Sequence, residues 1–173
     1  MFFELIGVII AGAATALLVW ALNRLLKGRL PSWLVPVSAG AAMLIATISS
    51  EYGWYDRTTA TMPEGMVVAQ AIEESSFYRP WTYIAPFVTR YVAVDQGTMR
   101  TNPAFPEQRI VDLVFYGRWA RTSKIPMLFD CAGNRRADIA DGLEFGDDGA
   151  ITNAEWRTIE EGDPVLSAAC QEV

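Results

Sequence analysis

The sequence contains no histidine. This absence removes the commonest general base, the usual zinc ligand and a common axial ligand of haem iron. A cysteine nucleophile would also be without its usual partner. No glycine-rich phosphate loop occurs either. We therefore expect a protein that is not an enzyme and that carries no cofactor.

One catalytic arrangement does not need histidine. Ser123 precedes Lys124, which is the only lysine after residue 50, and a serine–lysine pair can carry out nucleophilic catalysis. Neighbouring residues of a strand point to opposite faces, however. A hydrolase is therefore the least favoured of the functions considered.

Charge is absent from two long apolar stretches, residues 5–23 and 30–50. A helix needs about 20 mostly apolar residues to cross a bilayer. A cleaved signal peptide would need a positively charged start and an apolar segment of about 7–15 residues, which the first stretch does not offer. A buried core helix at the second stretch would leave the first helix without a packing partner. We predict a transmembrane hairpin with helices at about 4–23 and 31–50.

Basic residues predict the orientation of this hairpin. Arg24, Lys27 and Arg29 are the only basic residues among the first fifty, and they lie between the two stretches. Short basic loops stay on the cytoplasmic side of a membrane. We expect an integral protein of a bacterial inner membrane, with this loop in the cytoplasm and both termini in the periplasm. Neither stretch carries a charge that would mark an ion path, which argues against a transporter.

Aromatic residues flank the apolar stretches. Tyr52, Trp54 and Tyr55 follow the second stretch, whereas Trp20 and Trp33 lie toward the basic loop. Because Trp and Tyr favour the headgroup level, we predict that these residues lie at the two membrane interfaces.

Small residues cluster within both stretches, at residues 11–16 (AGAATA) and 38–42 (SAGAA). Such residues let helix backbones approach closely in lipid. Either the two patches face each other within the hairpin, or they dock against a larger membrane partner. The sequence leaves both interpretations open.

Residues 51–173 form the predicted second domain, which is acidic and contains both cysteines. They carry 19 acidic and 11 basic residues, and this excess argues against nucleic acid and against docking on anionic lipid. Cys131 and Cys170 show no CxxC spacing, and disulfides persist outside the cytoplasm. We predict one bridge, which would contribute roughly 3–4 kcal/mol on a chain-entropy estimate. The alternative is two unpaired buried thiols.

The pattern of residues 51–173 predicts a small α+β fold with an antiparallel β-meander and short helices. Apolar residues at helical spacing predict a helix of about three turns from Pro63. Three strands are expected at residues 81–94, 110–120 and 125–131, separated in part by a long loop at 96–109. Alternation places one set of side chains on the core face: Val111, Leu113, Phe115, Trp119, Ile125, Met127, Phe129 and Cys131.

The stretch EFGDDGAITNAEW, residues 144–156, resembles a calcium loop. With Gly149 as the turn glycine, the candidate ligands are Glu144, Asp148 and Glu155. Gly146 offers no side-chain oxygen at the third position, however, which makes the loop degenerate.

A helix cap explains the same residues without a metal. Thr152 and Glu155 have the spacing of a capping box, and Ile151 and Trp156 have that of a hydrophobic staple. We therefore predict a helix that begins at Thr152, and we favour it over a metal site.

The densest basic group of the domain consists of Arg118, Arg121, Arg135 and Arg136. Guanidinium groups bind carboxylates and phosphates through paired hydrogen bonds, so these residues are candidates for contact with an anion or an acidic partner. Ion pairs with the domain's own acidic residues are the favoured alternative.

Two functions from different classes follow from these observations. The leading expectation is a non-enzymatic two-pass inner-membrane protein that serves as an accessory, scaffold or assembly subunit of a larger complex. Its partners would be the lipid bilayer and other inner-membrane proteins. The alternative is a membrane-tethered sensor or binding module for a periplasmic ligand or ion, calcium included.

Overall fold

A computed structural model describes residues 2–139, 151 and 154–171. The chain divides into two compact units, residues 1–57 and residues 58–173. The first consists of two helices, and the second is built on an antiparallel sheet. The predicted α+β class is confirmed at this level.

Two long apolar helices, α1 (Phe2–Leu25) and α2 (Leu34–Ala60), make up the first unit. Each is long and apolar enough to cross a membrane, and protein buries almost none of its side chains. Helix α2 continues past the predicted end near residue 50. Polar contacts hold this extension: Arg57 donates from Nη2 to the carbonyl oxygen of Ser50 at 2.9 Å and lies 3.8 Å from the carboxylate of Glu4.

The two helices approach each other closely at Gly12. A Cβ atom added there would lie 2.6 Å from Cγ of Met43 and 3.6 Å from the carbonyl oxygen of Ala39. The absence of a side chain at residue 12 therefore makes room for Met43. This contact agrees with the interpretation in which the small-residue patches face each other within the hairpin.

In the described part of the second unit, six antiparallel strands lie in the sheet in chain order. The strands are β1 (Met66–Glu74), β2 (Phe87–Asn102), β3 (Phe105–Gly117), β4 (Ser123–Asp130), β5 (Arg135–Asp138) and β6 (Arg157–Thr158). A short 3₁₀ helix (Pro80–Tyr83) precedes β2, and helix α3 (Pro164–Cys170) follows β6. The predicted meander is confirmed, and it contains more strands than expected.

The helix predicted from Pro63 is wrong, because this segment forms β1. Its residues pair with β2 from Met66 opposite Asp95 to Glu74 opposite Phe87. Val67, Val68 and Ile72 are β-branched and favour a strand, whereas the alanine, glutamine and glutamate residues of the segment favour a helix. Pairing with β2 therefore outweighs the helical spacing of its apolar residues.

The long loop predicted at 96–109 is also wrong. Strand β2 runs to Asn102 and β3 begins at Phe105, so the connection is a short turn. A register shift between Asp95 and Arg100 takes up the extra residues of β2. Strand β2 starts at Phe87 rather than residue 81, because the 3₁₀ helix occupies the preceding segment.

The described residues after Thr152 do not form the helix predicted to begin there. Residues 154–156 are not helical, and β6 follows at Arg157; Thr152 itself lies outside the described residues. The last helix is instead α3. The side chain of Asp163 caps it by accepting hydrogen bonds from the backbone N–H groups of Val165 and Leu166, and Pro164 occupies its first turn, where proline is tolerated.

The core lies between one face of the sheet and α3. Val111 and Leu113 of β3 and Met127 and Phe129 of β4 are buried there, as their alternation predicted. Trp119 and Ile125 are exceptions: Trp119 follows the end of β3 and is 62% exposed, and Ile125, near the start of β4, is 44% exposed. From α3, the core receives small and branched side chains: Val165, Leu166, Ala168 and Ala169.

Helix α3 is tied to the sheet by covalent and polar contacts. The predicted disulfide joins Cys131, just after β4, to Cys170 at the end of the helix. Nη1 of Arg109 donates to the carbonyl oxygens of Cys170 and Gln171 at 3.0 and 3.1 Å. A cationic side chain at these carbonyls also complements the negative end of the helix dipole.

Candidate functional site

The four arginines singled out in the sequence lie at two ends of β4. Arg118 and Arg121 lie between β3 and β4, near the pairing of Phe115 with Ser123. Arg135 and Arg136 open β5, where Arg135 pairs with Asp130. These pairings stand seven residues apart along β4, so roughly 20 Å separates the two arginine pairs.

Arg135 is held by neighbours within its own domain. Its Nε donates to Oδ2 of Asp130 at 2.6 Å, and its guanidinium lies 4.6 Å from the ring centroid of Trp156. These contacts favour the ion-pair interpretation for Arg135.

Arg118 lines a pocket at the other end of the sheet. There β1 ends, β2 begins and β3 ends, and the three segments enclose a cavity of about 320 Å³. Its lining is basic and aromatic: Glu74, Ser76, Tyr78, Arg79, Phe87, Thr89, Arg90, Gly117, Arg118, Trp119 and Ala120. Arg121 lies outside it and lines a neighbouring cavity.

Aromatic rings hold two of the guanidinium groups in this pocket. Arg118 lies 5.3 Å from the ring centroid of Trp119. Arg79 lies 5.3 Å from that of Tyr78 and 5.7 Å from that of Phe87. A guanidinium over a ring face is attracted by the ring quadrupole, so both groups are ordered beside the cavity.

Thr89 is placed in the pocket by a β-bulge. Ile72 of β1 pairs with Arg90, and the next residue, Glu73, pairs with Val88, so Thr89 is the extra residue of β2. Bulges re-aim side chains and are frequent beside functional sites. The hydroxyl of Thr89 is buried and has no hydrogen-bond partner among the residues that the structure describes.

An exposed aromatic loop, residues 77–84, borders the same pocket. Five large apolar side chains of this loop face solvent: Phe77, Tyr78, Trp81, Tyr83 and Ile84. Phe77 is 85% exposed and Ile84 is 90% exposed. Thr82 is buried beneath them, where its Oγ1 donates to the carbonyl oxygen of Arg79 at 2.7 Å and accepts from the N–H of Ser76 at 2.9 Å. The hydrogen bonds of Thr82 therefore hold the backbone of a loop whose apolar side chains face solvent.

Lys124 takes part in an ion-pair cluster on the sheet. Its Nζ donates to Oδ2 of Asp95 at 2.9 Å and lies 3.0 Å from Oδ2 of Asp112. The hydrogen bond to Asp95, followed by that to Asp112, raises the pKa of Lys124 above its usual value. A lysine held in its cationic form is a poor base for the hydroxyl of Ser123.

The calcium candidates fall mostly outside the described residues, which include neither Glu144 nor Asp148. Glu155 is exposed. Across residues 2–139, 151 and 154–171, no group of three or more acidic or cysteine side chains is placed to hold a metal ion.

The residues predicted at the membrane interfaces all belong to the first unit. Trp20 lies on α1, 5.9 Å from the guanidinium of Arg24, and Trp33 lies just before α2. Tyr52, Trp54 and Tyr55 lie within α2 rather than beyond its end.

The second unit therefore carries two features that sequence reasoning missed, the pocket and the aromatic loop. Arg79, Thr89 and Arg90 lie on separate segments that only the sheet brings together. The run FYRPW, residues 77–81, was the one local signal for them, because it places an arginine among aromatic residues. No family model, curated protein or solved structure matches this chain.

Proposed function

We propose that the chain is a non-enzymatic, two-pass protein of a bacterial inner membrane that serves as an accessory or assembly subunit of a larger complex. Its helices anchor it, and its sheet domain docks in the periplasm onto a second membrane protein. The observation that carries this proposal is the aromatic loop, whose apolar side chains face solvent.

The proposed anchoring is supported by α1 and α2. Their apolar side chains cover the hairpin surface, which suits contact with lipid. The three basic residues of the first fifty, Arg24, Lys27 and Arg29, lie at or between the ends of the helices, as expected of a cytoplasmic loop. The disulfide supports placement of the second unit in an oxidising compartment.

The proposed docking is supported by the composition and order of the aromatic loop. Large exposed apolar groups mark interaction surfaces, and Tyr, Trp and Arg are enriched among the residues that dominate binding energy. The hydrogen bonds of Thr82 order the loop before binding, which lowers the entropy lost on association. The excess of acidic residues after residue 50 disfavours an anionic lipid surface as the occupant. We therefore assign the loop to an apolar groove on a partner protein.

Photo-crosslinking in native membranes tests the docking. A photoreactive amino acid at Phe77 or Ile84 should yield one discrete adduct with another membrane protein. The same group at Ala104, an exposed residue of the β2–β3 turn, is the matched control and should yield none. Loss of that adduct in a Trp81→Ser background, with Tm unchanged, would assign the contact to the loop. Identical adducts from all three positions, or no adduct from any of them, would refute the proposed docking.

Reporter fusions test the orientation. Alkaline phosphatase, which folds only outside the cytoplasm, should be active when fused after residue 171 and inactive when inserted beside Lys27. A fluorescent protein that matures only in the cytoplasm should show the reverse pattern. Fluorescence from the fusion after residue 171 would refute the periplasmic placement.

A further inference from the structure

We propose that the pocket formed by Arg79, Arg90, Arg118 and Thr89 binds a phosphate group, carried by a phosphomonoester whose organic part lies against the aromatic rim. The pocket shares Tyr78 and Arg79 with the aromatic loop, but it does not include Phe77 and Ile84, the outward side chains through which the docking is tested. The two proposals can therefore fail independently.

The charge of the pocket matches that of a phosphomonoester. Three arginines and one glutamate line it, which gives the lining a formal charge of +2. A phosphomonoester carries a charge of about −1.5 to −2 at neutral pH. The surrounding domain is strongly acidic, with 19 acidic and 11 basic residues after residue 50. A positive concavity in such a domain concentrates anions locally.

The number of donors around the pocket suits phosphate more than a single carboxylate, because three guanidinium groups and the Thr89 hydroxyl exceed what two carboxylate oxygens can accept. Guanidinium groups bind the oxygens of phosphate through paired hydrogen bonds. The rings of Tyr78, Phe87 and Trp119 hold Arg79 and Arg118 beside the cavity, so less side-chain entropy is lost when an anion binds.

Arg90 can exchange its ion-pair partner, Glu74, for a bound phosphate. Its Nη2 lies 2.7 Å from Oε1 of Glu74, and the two side chains are 62% and 44% exposed, respectively. Exposed ion pairs contribute little to stability, so a phosphate that offers three oxygens can compete with the Glu74 carboxylate.

Thr89 provides the observation that points most directly to a ligand. Its buried hydroxyl has no partner among the described residues, although buried polar groups are normally hydrogen-bonded. The bulge at this position leaves Thr89 outside the regular pairing of β1 with β2. A phosphate oxygen in the cavity would accept the hydrogen bond that the hydroxyl otherwise forgoes.

The size and rim of the cavity point to an organic ester. About 320 Å³ is within the range of small-molecule sites and exceeds the space that one phosphate group needs. The rings of Tyr78 and Trp119 line the remaining space, and both residues are largely exposed. An aromatic or apolar group esterified to the phosphate would cover them.

Titration calorimetry on the full chain in an uncharged detergent tests this proposal. The probes are inorganic phosphate, phenyl phosphate and phosphatidic acid in mixed micelles. We expect saturable binding of phenyl phosphate, tighter than that of inorganic phosphate because of the aromatic rim. Binding should be tighter at pH 8 than at pH 5.5, because the second pKa of the ester lies near 6. Binding of phosphatidic acid alone would support the same site with a lipid as its source.

Three variants separate the pocket from general charge effects. Thr89→Val and Arg90→Gln should each weaken binding roughly tenfold or more, because each removes a hydrogen bond to a charged group. Arg136→Gln removes the same charge at the far end of β4 and should leave binding unchanged. Ligand-free Thr89→Val should unfold at the same temperature as the wild type or a higher one, since it removes an unsatisfied hydroxyl.

Two results would overturn the proposal. One is the absence of binding by all three probes. The other is equal weakening in Arg90→Gln and Arg136→Gln, which would indicate diffuse attraction to the domain rather than a site. Should Thr89→Val fold poorly, Arg90→Gln still decides the outcome, because Arg90 is exposed and its loss leaves the core intact.

Discussion

Arg135 donates a hydrogen bond from Nε to Oδ2 of Asp130 at 2.6 Å, across the turn that joins β4 to β5. Asp130 is buried, and its Oδ1 accepts from the N–H of Gly133 at 3.1 Å. Both oxygens of the Asp130 carboxylate therefore accept hydrogen bonds from residues of the turn and of β5.

Arg135→Leu should destabilise the sheet domain by about 1–3 kcal/mol, because it leaves a buried charged acceptor only partly satisfied. The free energy of unfolding can be measured by urea titration of the full chain in detergent, with tryptophan fluorescence as the signal. Arg157→Leu is the control. Arg157 lies 4.0 Å from Asp138 and both are exposed, so its removal should cost no more than about 0.5 kcal/mol. Equal losses in the two variants would contradict this role of Arg135.

Removal of the disulfide should lower the stability of the domain substantially. Cys131 and Cys170 are 39 residues apart in sequence, and a loop of this length corresponds to about 4 kcal/mol in the chain-entropy description. The double variant Cys131→Ser/Cys170→Ser should show that loss in urea titration. Reductant should bring the wild type close to the double variant and leave the variant itself unchanged. A wild type insensitive to reductant would argue against the bridge.

The contact between Gly12 and Met43 predicts that a larger residue weakens the helix hairpin. Gly12→Val places new atoms against Met43, where an added Cβ would lie 2.6 Å from Cγ. Overpacking of this kind costs about 1–3 kcal/mol. Unfolding by sodium dodecyl sulfate, followed by tryptophan fluorescence, measures the effect.

A matched control and a rescue define this prediction. Gly7 lies on the same helix, and an added Cβ there would meet nothing within 4 Å. Gly7→Val should therefore leave the midpoint of unfolding by sodium dodecyl sulfate unchanged. Met43→Ala should restore part of the stability lost in Gly12→Val. The same midpoint for Gly12→Val and Gly7→Val would show that the helices do not pack through residue 12.

Lys124 should stabilise the domain in a pH-dependent manner. Asp95 and Asp112 raise its pKa in the folded state above the usual 10.5. Its contribution is therefore fully present below pH 10.5 and is lost as the pH rises through the higher folded-state pKa. Lys124→Met should lower Tm at pH 7, and the Tm difference from the wild type should shrink above pH 10.5. A difference that stays constant up to pH 12 would assign the effect to packing of the aliphatic stem.

The parts of the fold that were predictable are those whose pattern is local. The two apolar stretches predicted α1 and α2, because an uncharged run of about 20 residues is typical of a long apolar helix and of few other structures. Strands β3 and β4 follow from alternation at residues such as Val111, Leu113 and Met127, because the two strands are consecutive in the chain and pair with each other. The two cysteines allow one intramolecular pairing, which the structure contains.

The parts that were not predictable depend on partners distant in the chain. Strand β1 has apolar residues at helical spacing, and only its register with β2 decides its conformation. The segment before residue 102 contains glycine and polar residues typical of a loop, yet irregular pairing extends β2 through it. The pocket includes Thr89, which a bulge places there, and no local sequence pattern predicts that bulge.

The pairing of Cys131 with Cys170 also determines how oxidation must proceed during synthesis. Cys131 is made 39 residues before its partner, so at 5–20 residues per second its thiol waits roughly 2–8 s. The chain has no third cysteine, and non-native pairing within one molecule is therefore impossible. Oxidative folding of this protein requires an oxidant but no step that reshuffles intramolecular disulfides.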